Sequence, residues 1–358
     1  MKQGWTYKKI GDICDIKTGK LDANAASLNG VYPFFTCSKE TLCIDRYSYD
    51  CECVLIAGNG DLNVKYYNGK FDAYQRTYIV TIKPQYKSIS TYYLYKFFCK
   101  YIERLRQLSI GGVIKYIKLG NLTDACIPVP PIAEQERIVA ELDLLQGIIE
   151  KKKAQLKAYD QLAQSIFYTM FGDPITNEKG WETQKLGKVS NLINGRAYKQ
   201  NELLSEGKYK VLRVGNFFTN SSFYYSDLEL EDNKYCDNGD LLFAWSASFG
   251  AFIWNGGKVI FHYHIWKVLF NEQQLNKIFY RFLLNTMTNA FMNDVHGIGM
   301  VHLTKQGMEE YNIPIPPLSL QREFAEKVEA IERQKALVQQ SIEQTQTLFD
   351  YTMDKYFG

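Results

Sequence analysis

The 358-residue chain has no run of 18 or more apolar residues, so no stretch of it reads as a membrane-spanning helix. Its opening, MKQGWTYKKIGD, lacks the apolar core of an export signal, which makes the cytoplasm the expected compartment. None of the eight cysteines (14, 37, 43, 51, 53, 99, 126 and 236) forms a Cys-x-x-Cys pair. Cys51 and Cys53 would share one face of a strand, but no histidine neighbours them and the usual zinc-ligand spacings are missing; reduced, mostly buried thiols are expected. Catalytic signatures are missing too: there is no phosphate-binding G-x-x-x-x-G-K-[ST] loop, no G-x-G-x-x-G, no H-E-x-x-H and no G-x-S-x-G. Val129 and Ile315 precede the paired prolines, so the Asp/Asn-Pro-Pro-aromatic motif of amino-methylating enzymes is absent. Asp143, Glu150 and Lys152 have the spacing of a metal-dependent nuclease, but they fall on a helical segment, whereas that constellation is presented from strands. The expectation is a chain with no catalytic residues, no metal and no cofactor.

What is present is a surplus of aromatics, 15% of the residues with 26 tyrosines, and an uneven charge. The net charge of +3 divides into +7 for residues 1–130, −1 for 131–172, −1 for 173–316 and −2 for 317–358. Only the first block is basic in the manner of a nucleic-acid binder; the third would need a local patch.

The chain is also written twice. GWTYKKIGDICDIKTGK from Gly4 aligns without gaps to GWETQKLGKVSNLINGR from Gly180, matching Gly19 to Gly195. IPVPPIAEQERIVAEL from Ile127 is answered by IPIPPLSLQREFAEKV from Ile313, and each is followed by about 40 residues ending in Phe-Gly. The ends are alike and the middles unlike, as if one frame held two contents. After each hinge, Pro131 or Pro317 suits a first helical turn and acidic residues follow where the helix dipole favours them. Apolar residues then recur in 4-3 alternation at Ile138, Leu142, Leu145, Ile149, Leu156, Tyr159, Ala163, Ile166 and Met170, and again at Phe324, Val328, Ile331, Val338, Ile342 and Phe349. Connectivity then favours two long antiparallel helices, about 60 Å each at 1.5 Å per residue, related by a pseudo-two-fold axis. The expected organisation is a first domain at 1–130, a first long helix at 131–172, a second domain at 173–316 and a second long helix at 317–358, in a mixed α/β (α+β) fold.

The middles carry candidate contacts. In VLIAGNGDLNVKYYNGKFDAYQRTYIV, GNGD reads as a tight turn and YNGK as a hairpin turn. That would crowd Lys65, Tyr66, Tyr67, Lys70, Gln75 and Arg76 onto one short hairpin, with cations for phosphates and Gln and Arg for base edges. Lys115, Tyr116 and Lys118 follow two glycines in the loop before the first hinge, and His302 and Lys305 occupy the counterpart loop. The second middle reads as a strand, a Ser/Gly turn and two further strands, with Trp245, Ser246 and Ser248 at the turn. His262 and His264 alternate along a strand-like run and share a face, as metal ligands or as a hydrogen-bonding surface. Arg196, Tyr198, Lys199, Arg213 and Asn216 fall in loops or at strand ends.

The doubled openings, hinges, long helices and terminal Phe-Gly, with FGDPITNEKGW between the copies, resemble the specificity subunit of a type I restriction-modification enzyme over essentially the whole chain. The resemblance implies two target-recognition domains, each reading half of a split double-stranded DNA target, with a coiled-coil helix pair setting the gap. It implies two adenine methyltransferase subunits as partners, joined by restriction subunits, with methyl donor and ATP bound by those partners. Arg76 would then serve one half-site only. At the hinges Gln135 and Gln321 are the comparable pair, and their differing flanks, Glu-Gln-Glu against Leu-Gln-Arg, argue against equal partner contacts there. The competing expectation is a coiled-coil protein scaffold that binds no DNA.

Overall fold

The computed structural model describes residues 5–219, 221–246, 248–293 and 303–358. It is a mixed α/β structure that divides into two compact units, residues 1–154 with 339–358, and residues 155–338. Among the described residues no helix is long and apolar enough to cross a membrane.

In the first unit a small ribbon pairs β1 (Thr6–Lys9) with β8 (Cys126–Val129). The main sheet has six strands in the order β2-β7-β5-β6-β3-β4, with β2 Cys14–Thr18, β3 Tyr32–Phe35, β4 Leu42–Ile44, β5 Tyr49–Ala57, β6 Val64–Ala73 and β7 Thr77–Ile82. Helix α1 (Ile10–Ile13) links β1 to β2. Helix α2 (Thr91–Leu108) covers the sheet with Leu94, Phe97, Phe98, Ile102 and Leu105, the i, i+3, i+4 spacing of an amphipathic face. It is capped by the Ser90 hydroxyl, which accepts from the Tyr93 amide. A short α3 (Leu119–Thr123) precedes the hinge, and α4 (Ile132–Phe171) follows it.

The second unit repeats the plan. Its ribbon pairs β9 (Thr183–Lys185) with β18 (Asn312–Pro314), and α5 (Leu186–Val189) takes the place of α1. One sheet orders β10 (Ser190–Asn194), β17 (Ile265–Phe270), β14 (Leu241–Ser246) and β15 (Ser248–Ile253). A second orders β12 (Tyr224–Ser226), β11 (Tyr209–Leu212), β16 (Val259–Phe261) and β13 (Tyr235–Cys236). Short α6 (Val214–Phe218) follows β11. Helices α7 (Lys277–Thr286) and α8 (Thr288–Asn293) stand where α2 does, α9 (Lys305–Glu310) where α3 does, and α10 (Leu318–Phe357) follows the second hinge.

Within the first unit the start of α4 packs on the end of α10: Ile138, Leu142, Met353 and Tyr356 share one core, and the Tyr356 hydroxyl donates to Glu141 at 2.8 Å. Within the second unit the end of α4 packs on the start of α10, with Phe167 and Phe171 edge-on to Phe324 and Asp160 paired to Lys335 at 2.7 Å. Leu145, Ile149, Val328, Ile331 and Ile342 are buried, while Leu156, Ile166, Val338 and Phe349 are half-buried. Phe167 and Phe171, outside the 4-3 pattern, take the deep positions because the domain core lies on that face. Gly172 ends α4 at a φ of 75°, the left-handed cap its position calls for.

Two sequence expectations are corrected. Asn68-Gly69 is not a hairpin turn. It runs through the middle of β6, opposite Glu52 and Cys51. The two-residue turn needs positive φ at both residues and only Gly69 has it, at 136°; turning there would also forfeit the pairing of residues 69–73 with β5 and β3. The corresponding Asn255-Gly256-Gly257 carries one glycine more and does break the strand, into β15 and β16, with Gly257 at 79° and the Trp254 indole donating to its carbonyl at 2.7 Å. The thiols are also less uniformly sheltered than expected: Cys14, Cys53 and Cys236 are buried, Cys37, Cys51 and Cys99 half-buried, and Cys43 and Cys126 exposed.

Candidate nucleic-acid interface

The candidate residues of the first unit separate into two groups because β6 runs straight. Lys65, Tyr66 and Tyr67 line a cleft of about 440 Å³ with Lys39 and Phe35. Their polar ends are engaged internally: the Lys65 ammonium donates to the Ser38 carbonyl, Tyr66 to Glu52 at 2.8 Å, and Tyr67 to the Lys70 carbonyl at 3.3 Å. Burial pulls the Lys65 pKa down and, with the Glu52 carboxylate, pushes Tyr66 up to about 12. Lys70 is exposed near the far end of the strand, 4.7 Å above the Tyr47 ring.

The second group gathers at one corner. The Gly58 amide donates to the Arg76 carbonyl at 2.8 Å, the Gly60 amide to the Lys115 carbonyl at 2.9 Å, and the Ile117 amide to the Gly58 carbonyl at 2.9 Å. These bonds hold the 74–76 turn and the glycine loop against the same end of β5. Gln75, Arg76, Lys115, Tyr116 and Lys118 are all exposed there, with Gln75 oriented by a 2.8 Å bond to Asp22.

In the second unit a cleft of about 500 Å³ brings together Arg213, Asn216, His262 and His264. The histidines lie in the three-residue turn between β16 and β17, not along a strand, because the Ile265 amide closes back on the His262 carbonyl at 3.0 Å. Burial, then the neighbouring His264 and Arg213, lowers His262 to about 4, so its ring is neutral near pH 7. Asn216 is committed to its own loop, accepting from the Arg213 amide and donating to the Ser221 carbonyl, both at 2.7 Å. Arg213 is exposed over the Tyr224 ring.

Other candidates act as support. Arg196 clamps Glu202 through two bonds of 2.8 and 2.9 Å, which, with the Lys199 amide, holds that carboxyl down at about 2. Tyr198 stacks near His262, its hydroxyl buried, while Lys199 is exposed. Trp245 stacks on Trp266 and donates its indole N–H to the Tyr263 carbonyl at 3.0 Å. Ser246 is buried and Ser248 half-buried. Lys305 pairs with Glu309 at 3.5 Å and lines a second cleft with Trp245 and His264. His302 lies outside the described residues.

Four neighbours of these candidates carried no signal of their own in the sequence: Tyr74 and Tyr263 in the two turns, and Lys39 and Tyr224 in the two clefts. For the turns there was an indirect signal: Gly19 and Gly195 match between the copies, and a Cβ on either would sit 2.0 or 2.3 Å from the backbone leading into the 74–76 or 262–264 turn. The hinge glutamines, the comparable pair of the two copies, are both fully buried and bonded internally, so neither presents a surface to a partner.

A family model for the type I restriction modification DNA specificity domain matches residues 2–158 and again 178–346. The chain is 37% identical over 182 residues to the type I restriction enzyme EcoDI specificity subunit of Escherichia coli, which covers 50% of this chain and 40% of that one, less than half of the relative's length. It is 21% identical over 369 residues to a putative type I restriction enzyme specificity subunit of Haemophilus influenzae, covering 96% and 93%. The fold is similar to the solved type I restriction-modification S subunit from M. genitalium, with a TM-score of 0.56 and 15% identity across 99% of this chain and 96% of that one. A structure described under complex assembly and conformational transition of the type I R-M system aligns at a TM-score of 0.61 and 16% identity, covering 99% and 98%. Matched in both of its repeats, the chain belongs to the type I restriction-modification DNA specificity family.

Proposed function

We propose that this chain is the non-catalytic DNA-recognition subunit of a type I restriction-modification system, reading a split double-stranded target with one half per unit. The observation that carries the reading is the doubled family match around two dissimilar polar corners, one cationic with Arg76 and Lys115, the other a cleft of neutral histidine beneath Arg213. One frame presenting two chemistries suits a target whose halves differ.

In this reading residues 1–130 and 173–316 recognise DNA, and 131–172 and 317–358 form an antiparallel coiled-coil spacer that fixes the gap. The local packing of α4 on α10 within each unit supports that pairing. Two adenine methyltransferase subunits dock on this scaffold, with restriction subunits beyond them, and they bind methyl donor and ATP. The complex works in the cytoplasm, where the DNA is. Asp143 is spoken for as an ion-pair partner of the buried Lys96 at 2.5 Å, which disfavours a nuclease on α4.

The test is to express the chain with its methyltransferase partner and map methylated adenines across the host genome. A two-part motif with a fixed gap is expected, together with salt-sensitive duplex binding in a gel shift. Absence of both would leave the protein scaffold as the better account.

A further inference from the structure

The middles of the two copies do not align as sequences, yet their backbones do. The Tyr74 amide donates to the Phe35 carbonyl at 2.9 Å, and the His262 amide to the Leu212 carbonyl at 2.9 Å. Thr77 closes back on Tyr74 at 2.8 Å, and Ile265 on His262 at 3.0 Å. Gly58 donates to Arg76, and Trp245 to His264. Gly19 donates to Thr77, and Gly195 to Ile265. These four pairs of bonds superimpose Tyr74-Gln75-Arg76 on His262-Tyr263-His264 residue for residue, with β3 and β11 pairing in parallel beside them.

We propose that these two three-residue turns are the equivalent base-reading elements of the two units, each specifying positions in one half of the DNA target. The inference rests on the proposed DNA-recognition function and deepens it to named residues. Three observations carry it. First, at the turn a shared backbone carries different side chains at every position: phenol, amide and guanidinium in one unit, imidazole, phenol and imidazole in the other. Second, two competing cations are consumed internally, Lys65 by the Ser38 carbonyl and Arg196 by Glu202, while Gln75 and Arg76 are exposed and Tyr263 is 38% exposed. Third, groups suited to phosphate flank each turn: in the first unit Lys115 and Lys118 follow the glycine loop bonded to the same end of β5 as the turn, and in the second Arg213 after β11 and Lys305 at the start of α9 each line a cleft with His264.

The chemistry of each turn sets what it can read. Arg76 can span guanine O6 and N7, and Gln75, its amide nitrogen held by Asp22, aims its carbonyl oxygen as an acceptor for an adenine or cytosine amino group. A neutral His262, its Nδ1 accepting from the His264 amide at 3.4 Å, offers its Nε2–H as an uncharged donor, and Tyr263 adds a flat face and a hydroxyl.

The experiment uses the full chain assembled with its methyltransferase subunit, methylating a randomised duplex library whose modified sequences are read out. Arg76→Ala and Arg76→Lys are expected to relax discrimination by roughly 5- to 150-fold at one or two positions of one half-site, and His264→Ala to do so only in the other half. Lys118→Ala should weaken binding uniformly with the motif intact. Arg76→Lys keeps the charge at an exposed position and leaves no buried group unpaired, so it remains informative if an alanine variant misfolds. An unchanged motif in the Arg76 and His264 variants, beside a normal wild-type motif, overturns the turn assignment alone; so does one variant relaxing both halves. A wild-type complex that yields no split motif overturns the parent reading and this one with it.

Discussion

Gln135 and Gln321 stand 186 residues apart and make the same three hydrogen bonds, whereas the 74–76 and 262–264 turns share a backbone and differ at every equivalent position. The Gln135 carbonyl accepts from Ser90, and its amide donates to Ser88 and Pro130, each at 2.9 Å. The Gln321 carbonyl accepts from Asn276 at 2.8 Å, and its amide donates to Gln274 at 2.9 Å and Pro316 at 2.8 Å. Every partner is displaced by the same 186 positions. Each glutamine thus ties the start of a long helix to the N-cap residue of α2 or α7. No other side chain of that length offers an acceptor and two donors without charge, so the residue is fixed by backbone bookkeeping. At the turns the backbone satisfies itself, which leaves the side chains at liberty to differ.

That contrast can be broken or sharpened by substitution. The largest effect is expected at the hinges, where Gln135→Ala or Gln321→Ala leaves buried backbone groups unpaired and costs about 4 kcal/mol. Guanidinium unfolding with hydrogen exchange should show equal losses, each confined to its own unit; a large inequality would mean that the hinges are not equivalent. Next come Gly19→Ala and Gly195→Ala, where the new methyl would sit 2.0 or 2.3 Å from a carbonyl oxygen. Each should cost about 3 kcal/mol and disturb reading of one half-site, whereas alanine at the exposed Arg76 should leave the melting temperature unchanged.

A smaller effect separates the turns by acid. In the unfolded chain His262 takes up a proton near its ordinary 6.5, while in the fold it resists until about 4. Acid therefore favours the unfolded state, and stability falls as pH drops from 6.5 toward 4, by on the order of 1–2 kcal/mol once solvent access is discounted. His262→Gln should flatten that slope and Gln75→Ala should not, as measured by unfolding at pH 7 and pH 4.5. The smallest effect belongs to the ribbon ion pairs, Lys9–Asp124 at 3.7 Å and Lys185–Glu310 at 2.5 Å. Both are solvent-exposed, so Lys9→Ala and Lys185→Ala should each cost less than about 1 kcal/mol despite the difference in length.

The sequence by itself determined the doubling, the hinges, the two long helices and the lack of any run of 18 apolar residues, because repeat spacing and helical periodicity are local and survive without a fold. It also nominated Gln75, Arg76, His262 and His264, since their chemistry is visible in the residue names. Only the tertiary structure decided where they sit. Asn68-Gly69 reads as a turn by local preference, but the longer pairing of β6 with β5 and β3 overrides it, and that pairing spans chain segments too far apart for any window to see. Long-range bonds also gather Arg76 with Lys115, tie Lys65 to the Ser38 carbonyl, and superimpose two turns that match at no position, while Arg196 is held by Glu202 only six residues along the chain. A backbone hydrogen bond does not depend on which side chain it carries, and so the equivalence of the two turns is written in the fold and not in the letters.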